Sequence, residues 1–502
     1  MSKKKVLVIG AGPGGLSSAM ILAEKGFEVE VYERSHSVGG RNAEIQLGDF
    51  SFDTGPTFLH QKFTLDEMFA EAGEKVEDHL ELMKVDPMVS LNFSDRSIQT
   101  SSDPEKMKAE IQKHFPGNEE GFERFMKDHQ KKLEKTFPCL EKPYQRIGDF
   151  LNLNLIKAAP YVFTKNSVYD ELGKYFDDEL LKLAFTFQAK YLGMSPWKCP
   201  ALFTIVSYLE YKFGLYHVKG GLNKISQAMA QIIEAKGGTV WLNNPIQEIL
   251  WKGKKAIGVK LESGEERIAD DVIINADYGY ARTHLFGKHN LSDQKMRKKK
   301  FSCSTFMLYL GIDTLYEEPF HQIIFADDYK ADVENIVGEA SVSDDMSVYV
   351  RNSSILDAEV APAGQSGLYI LVPTINTRNV TDWESFQDSY KEKVIDRIIA
   401  RTGMKDLRDH IVEEKVFTPS TWEKEHVFMG ATFNLAHSMN QLLCFRPHNQ
   451  MAGFKNLYLT GGGTHPGSGL PTIFQSGRIA ADLICKKHKV PYVWADYHKD
   501  IL

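Results

Sequence analysis

Lys5-Val6-Leu7-Val8-Ile9-Gly10-Ala11-Gly12-Pro13-Gly14-Gly15-Leu16 decides how this chain is read. A short apolar strand runs straight into a glycine-rich turn, and a helical pattern follows from Leu16 to Lys25. Gly10 permits the tight turn, Gly12 lets the backbone approach a pyrophosphate, and Gly15 lets helix and strand pack closely. The helix start, beside Gly14, offers N–H groups and a positive dipole end to phosphates. A second strand, Glu28 to Tyr32, ends at Glu33, about 20 residues past the glycines, where an acidic side chain is expected to hold a ribose hydroxyl. A carboxylate there repels a 2′-phosphate, which argues against NADP. Glycine spacing alone is a weak signal; strand, helix and acid falling in register make it a dinucleotide site.

At 502 residues the chain has room for two or three domains with substantial cores. Lys+Arg 60 against Asp+Glu 67 gives a net charge of −7, so no global basic field favours nucleic acid. Cys139, Cys199, Cys303, Cys444 and Cys485 show no CxxC or metal spacing. They read as reduced, packed thiols of a cytoplasmic protein, and no metal site is expected. Met1 to Lys5 is basic and precedes an apolar run, but that run breaks at Gly10 and is consumed by the nucleotide turn, so export is not expected. Nowhere do about 18 uninterrupted apolar residues occur, which leaves peripheral membrane contact open but not an ordinary spanning helix.

Residues 58 to 100 mix a helical pattern, Thr64 to Gly73, with short alternating runs such as Met88 to Phe93, expected as a strand pair leaving the nucleotide unit. Lys106 to Phe137 reads as charged helix with a solvated surface. Residues 150 to 216 hold 15 aromatics in 67 positions, about twice the chain's 11% average. Helices packing on their own core explain part of this; a long apolar tunnel or a membrane-facing surface explains it too. After His217 and the Gly220-Gly221 turn, α/β character resumes with a helix from Asn223 to Lys236 and strands at 239–242, 246–251, 256–261 and 271–276. Lys295 to Lys300 is basic at five of six positions: a solvated helix end, or a patch worth about 1 kcal/mol per basic residue near an anionic leaflet. Strands follow at 304–312, 322–325, 347–350 and 367–373, then an amphipathic helix carrying Trp383, Phe386, Tyr390, Val394 and Ile398. The fold class is therefore α/β. A Rossmann-type nucleotide domain is assembled from residues 1–100, 216–300 and 440–502. A helical insert spans 101–215, and a substrate domain with a mixed sheet and backing helices spans 301–439.

The last informative stretch is Asn456-Leu457-Tyr458-Leu459-Thr460-Gly461-Gly462-Gly463-Thr464-His465-Pro466-Gly467-Ser468-Gly469-Leu470-Pro471-Thr472. A strand enters a glycine-dense turn, and Pro471 opens a helix running to Lys486, a second helix end able to accept an anion. Taken with the N-terminal turn, this stretch resembles the bacterial phytoene desaturases of the CrtI/CrtN type, whose chains end in a strand, GxGTHPGxGxP and a helix. Val416 to Pro419, Gly430 to Leu435, and Gln441 with Phe445-Arg446-Pro447 match as well. Leu470 to Arg478 departs from the commonest form of that motif.

The resemblance implies FAD as cofactor. In FAD enzymes similar to amine oxidases and carotene desaturases, the segment matching Ser37-Val38-Gly39-Gly40-Arg41 wraps the phosphates and lies against the flavin, and Phe52 to Pro56, with Gly55, matches the segment that follows. Ile246 matches a residue on the adenine side, and Gly462, Gly463, Gly469, Leu470, Pro471 and Thr472 match the flavin end. A helix start aimed at the N1/C2=O edge would favour flavin reduction.

The activity implied is desaturation of a linear C30 or C40 carotenoid precursor such as phytoene or diapophytoene. Hydride leaves an allylic carbon for flavin N5 and a neighbouring proton is lost, with aromatic faces steadying the cation by about 0.5–2 kcal/mol each. His465 is the candidate base, or else a turn histidine shaping the cofactor site. Oxygen or a membrane quinone would reoxidise the flavin, with the protein peripheral on the inner face of the cell membrane. Three alternatives stand: oxidation of a carotenoid end group, amine or protoporphyrinogen oxidation, and non-enzymatic prenyl binding, whose proteins lack the glycine turn with Glu33.

Overall fold

Five parallel strands carry the N-terminal glycine turn in a computed structural model that describes residues 3–140, 153–162, 164–188, 194–380, 382–442 and 445–501. Phe150, Phe163, Tyr191 and Cys444 lie outside the described residues. The strand order is Leu457–Leu459, Asp271–Ile274, Lys5–Ile9, Glu28–Tyr32, Thr239–Trp241, so one sheet gathers segments far apart in the chain. Alternation sorts its residues onto two faces. Val6, Val8, Val29, Val31 and Ile273 pack beneath the helices Pro13–Glu24, Asn223–Ala235 and Leu470–His488. Leu7, Ile9, Tyr32, Val272 and Ile274 pack beneath a three-stranded antiparallel sheet, Ile246–Lys252, Lys255–Leu261 and Glu266–Ile268. With both faces covered, the central strand reads as a continuous apolar run.

The second large sheet has seven strands in the order Ile411–Phe417, Ser304–Ile312, Ser366–Thr374, Val348–Asn352, His321–Ile324, Ser90–Asn92, Ser97–Gln99. The last two come from residues expected in the nucleotide unit. Short alternating strands do not declare which edge they join; here Ser90–Asn92 adds in parallel to His321–Ile324, and Asn92 donates to Gln322 at 3.0 Å. One face, with Phe306, Leu308, Val348, Val350 and Ile370, is closed by Trp383 and the helix Gln387–Arg401. Trp383 and Phe386, expected on that helix, lie just before its first residue.

The opposite face presents Met307, Tyr309, Ile323, Tyr349 and Tyr369, which join Phe50, Phe52 and the insert's Phe122, Phe125, Phe185 and Tyr211 in a single core. The aromatics of the insert thus pack against the second sheet as well as among themselves. The helix expected at 106–137 is two, Pro104–His114 and Glu119–Thr136, because Pro116 and Gly117, the latter at φ +93°, break it. Its surface is solvated on one side only, since Phe122, Phe125 and Leu133 are buried. Leu153 and Ile156, on the helix Leu153–Val162, are 70% and 63% exposed. Among the described residues no helix is long and apolar enough to cross a membrane.

Candidate cofactor and substrate site

Two of the N-terminal glycines, Gly10 and Gly15, have the turn and the close packing expected of them. Gly10 turns at φ +96°, and a Cβ on Gly15 would stand 2.3 Å from the Gly10 carbonyl oxygen. Gly12 caps the 13–24 helix with no side-chain hydrogen bond, and no acid occupies the first turn, so its N–H groups and dipole are left for an anion. The C-terminal turn repeats this. Gly469 caps the 470–488 helix without a side-chain bond, Pro471 lies in its first turn, and that turn too lacks an acid.

The two helices meet at their starts, where a Cβ on Gly14 would come within 2.9 Å of Gly461 N and 3.1 Å of Ile473. Farther along, a Cβ on Gly477 would be 1.8 Å from Ser17 Oγ. Glu33 follows the second strand, buried, and accepts the backbone N–H of Ala11 at 2.8 Å and of Ser35 at 2.9 Å. Ile246 begins its strand two residues after Asn244, whose N–H donates to the Glu33 carbonyl, and its side chain sits in the core with Ile9 and Tyr32.

The second glycine pair is pinned beside the first. Gly39 and Gly40 adopt φ +115° and +55°, Gly39 N–H donates to Ala11 O at 2.8 Å, and Asn223 braces the turn through Val38 O and Asn42 O at 2.9 and 2.7 Å. Arg41 reaches the Thr432 carbonyl and, at 3.3 Å, Asp277 Oδ2. Asp277 also accepts Asn434 at 2.6 Å and caps Gly279 and Tyr280. Burial raises its carboxyl pKa, against the pull of Arg41 and of backbone N–H groups. Gly55 lies against Arg41, whose carbonyl oxygen a Cβ there would meet at 2.5 Å.

At the C-terminal turn, a Cβ on Gly463 would strike Tyr278 and Asn434, and one on Gly462 would press on Ser468. His465 is buried, its N–H on Pro447 O and its carbonyl receiving Asn449. Leu470 belongs to the core, and the Thr472 hydroxyl is spent on the Ser468 and Gly469 carbonyls. A small cavity lined by Ile274, Ala276, Tyr278, Leu459, Gly463 and Thr464 opens at the carboxyl ends of two neighbouring parallel strands, where ligands of such sheets bind.

Sequence reasoning missed several residues. Asn275 donates to the Gly10 carbonyl at 3.2 Å and accepts Thr460 at 3.1 Å, stitching the two glycine turns together. The signal was two polar residues, Asn275 and Asp277, at the end of an apolar strand. Arg446, 1% exposed, donates to the carbonyls of Leu435, Gln441, Gly462 and Thr464, and burial among these uncharged acceptors lowers its pKa to about 9. Glu210 is a lone acid in the aromatic segment Thr204–Phe213 and is fully buried; its Oε2 has no partner among the described residues.

Below the 53–57 segment, the tyrosine face of the second sheet supplies hydrogen bonds. Tyr309 donates to Thr54 O at 2.6 Å and Tyr369 to Gly55 O at 2.5 Å, while Arg351 pairs with Asp53 at 2.5 Å. Two acid-free helix starts, glycine cradles that tolerate no side chain, the buried Glu33 carboxylate and the nearby Arg41 guanidinium together fit a flavin dinucleotide.

The family described as flavin containing amine oxidoreductase matches residues 13–485. The chain belongs to this family. The flavoprotein is an oxidoreductase, and its cofactor is FAD. It is 48% identical, over 97% of its length and 96% of the relative's, to the 4,4′-diapophytoene desaturase (4,4′-diapolycopene-forming) of Methylomonas sp. It is 35% identical to the all-trans-zeta-carotene desaturase of Myxococcus xanthus, with 97% and 94% of the two chains covered. Among solved structures, an oxidoreductase from Methanosarcina mazei superposes at a TM-score of 0.62 with 17% identity, covering 96% of the flavoprotein and all of that chain; this likeness shows the shared fold alone. The resemblance drawn from the flavoprotein's motifs is borne out.

Proposed function

We propose that the flavoprotein desaturates a linear carotenoid precursor, and that its substrate is a C30 chain of the diapophytoene kind. The observation that carries this is the 48% identity, end to end, with a diapophytoene desaturase, against 35% with a desaturase named for zeta-carotene. The site chemistry supports it: the face opposite the 53–57 segment is built from Met307, Tyr309, Ile323, Tyr349 and Tyr369, apolar area suited to a polyene.

In this reading the starts of the 13–24 and 470–488 helices hold the pyrophosphate and the flavin edge, Glu33 holds the ribose, Ile246 lies on the adenine side, and the 39–41 and 53–57 segments flank the ring system. Bound FAD supplies a two-electron oxidant. The protein's own work is to bind the chain along the tyrosine face, to exclude water with the aromatic insert, and to accept the proton released. Electron-rich aromatic faces favour a cation forming beside them by about 0.5–2 kcal/mol each. His465, tied down through its backbone, shapes the turn. Oxygen or a membrane quinone takes the electrons onward, and the protein rests on the inner face of the membrane through its exposed Leu153 and Ile156.

Co-expression with a diapophytoene synthase or a phytoene synthase tests the reading. The expected result is a C30 pigment with a lengthened chromophore and a mass lower by successive pairs of hydrogens. Unchanged C30 and C40 precursors would overturn desaturation, and oxygen added to an already desaturated carotenoid would move the assignment to end-group oxidation.

A further inference from the structure

One buried histidine on the tyrosine face of the second sheet has no part in the function so far. Antiparallel register sets Tyr309 opposite Tyr369, Tyr369 opposite Arg351 and Arg351 opposite His321, so the four side chains form a row on the face turned toward the 53–57 segment. His321 is 1% exposed. Its Nδ1 lies 2.7 Å from the Tyr349 hydroxyl, which lies 2.8 Å from Thr57 Oγ1. Its Nε2 has no hydrogen-bond partner among the described residues. The rings of Phe58 and Phe320 stand 4.5 Å from the imidazole. Buried polar atoms are almost always paired, so an unpaired one calls for an explanation.

The charged and titratable groups around His321 are accounted for. Arg351 directs one guanidinium nitrogen to Asp53 and another to His217 Nδ1 at 3.1 Å, and His217 Nε2 lies 2.7 Å from Asp357. Among the described residues no carboxylate is hydrogen-bonded to His321. Burial, then Arg351, His217 and His60, hold its pKa well below the usual histidine value, so the ring is neutral at physiological pH. In the tautomer that carries its proton on Nδ1, His321 donates to the Tyr349 oxygen, Tyr349 donates to Thr57, and the Nε2 lone pair is left bare.

We propose that His321 Nε2 is the base that takes the proton released in desaturation, held in the required tautomer by Tyr349 and Thr57. This rests on the desaturase reading above. One substrate C–H bond breaks with both electrons leaving as hydride to FAD. The C–H bond on the neighbouring carbon then breaks, its proton passing to Nε2 and its electron pair becoming the new π bond. A weak base suffices, because an allylic cation is a strong acid, and weak basicity keeps Nε2 unprotonated beforehand. Glu210 also offers an unpaired oxygen, but it lies on the insert beside Gln188, with no hydrogen-bonded connection to the 53–57 segment among the described residues.

The test compares flavin-loaded wild type, His321→Ala and Tyr349→Phe on diapophytoene delivered in phosphatidylcholine vesicles. His321→Ala is expected to lose about 100-fold or more in rate and to regain about tenfold with added imidazole, while flavin absorbance and polyene affinity stay near wild type. Tyr349→Phe is expected to lose about tenfold in kcat with KM unchanged. A flavin-loaded His321→Ala within about threefold of wild type overturns the proposal, as does a loss that imidazole does not repair. Should His321→Ala shed its flavin, a loaded Tyr349→Phe running at wild-type rate overturns it. An active wild type with an unaffected variant removes this inference alone; a wild type inactive on C30 and C40 substrates removes the desaturase reading and this inference with it.

Discussion

Glu210 shows what a single misplaced charge does to this protein. Its carboxyl is buried in the insert, with Gln188 Nε2 at 3.4 Å as its one side-chain donor among the described residues, and burial pushes its pKa up to about 8. In the unfolded chain it titrates near 4.3. Between those values the folded protein holds a proton that the unfolded chain has lost, so stability falls as pH rises through the window. Glu210→Gln is therefore expected to flatten the decline in urea midpoint from pH 5 to pH 8, and to stabilise the protein by about 1–3 kcal/mol at pH 8. An unchanged slope would mean that the carboxylate finds a partner when it ionises. Arg446 is the opposite case, a buried cation whose guanidinium spans four carbonyls and ties the 435–446 segment to the glycine-dense turn.

Elements were legible in the sequence where period and punctuation agreed. The 5–9 strand, its glycine turn and its helix follow from steric roles that only glycine fills, and the long strands Ser304–Ile312 and Ser366–Thr374 follow from unbroken β-favouring runs. Illegible were facts of partnership. Strands of three residues at 90–92 and 97–99 carry too little pattern to name their sheet. Asp53 and Arg351 meet across 298 positions of chain, and Asn275 joins turns that local pattern treats as unrelated.

The clamp on the C-terminal helix belongs to the same class. Arg478 on the 470–488 helix donates to Glu67 at 2.7 Å and to Glu71 at 2.5 Å on the helix Lys62–Glu71, and all three are buried. Arg478→Met removes the guanidinium that two buried carboxylates share, leaving Glu67 on His498 and Glu71 on Tyr492 and the Ala495 N–H, and is expected to cost about 3–5 kcal/mol of unfolding free energy. Because the 470–488 helix begins at the glycine-dense turn proposed to hold the flavin edge, flavin release on heating should move down with the unfolding transition. A melting curve followed at 450 nm and by far-UV circular dichroism checks both; coincident curves at the wild-type temperature would contradict the clamp.

At the scale of the whole molecule, charge and apolar exposure favour different modes of membrane contact. The net charge of −7 gives no overall attraction to an anionic bilayer. Within the local basic run, Arg297 is engaged by Asp293 and Glu423. Leu153 and Ile156 lie three apart on one helix, the spacing that puts two side chains on a common face, and both project into solvent. Burying them in lipid yields about 1.5–3 kcal/mol each, an attraction that salt does not screen. Vesicle co-sedimentation separates the two modes. The wild type is expected to bind neutral and anionic vesicles alike and to stay bound at 0.5 M salt, while Leu153→Glu with Ile156→Glu should weaken binding by about tenfold or more. If salt releases the wild type instead, and replacing Lys298, Lys299 and Lys300 with glutamine does the same, the basic run carries the contact and the polyene enters by another face.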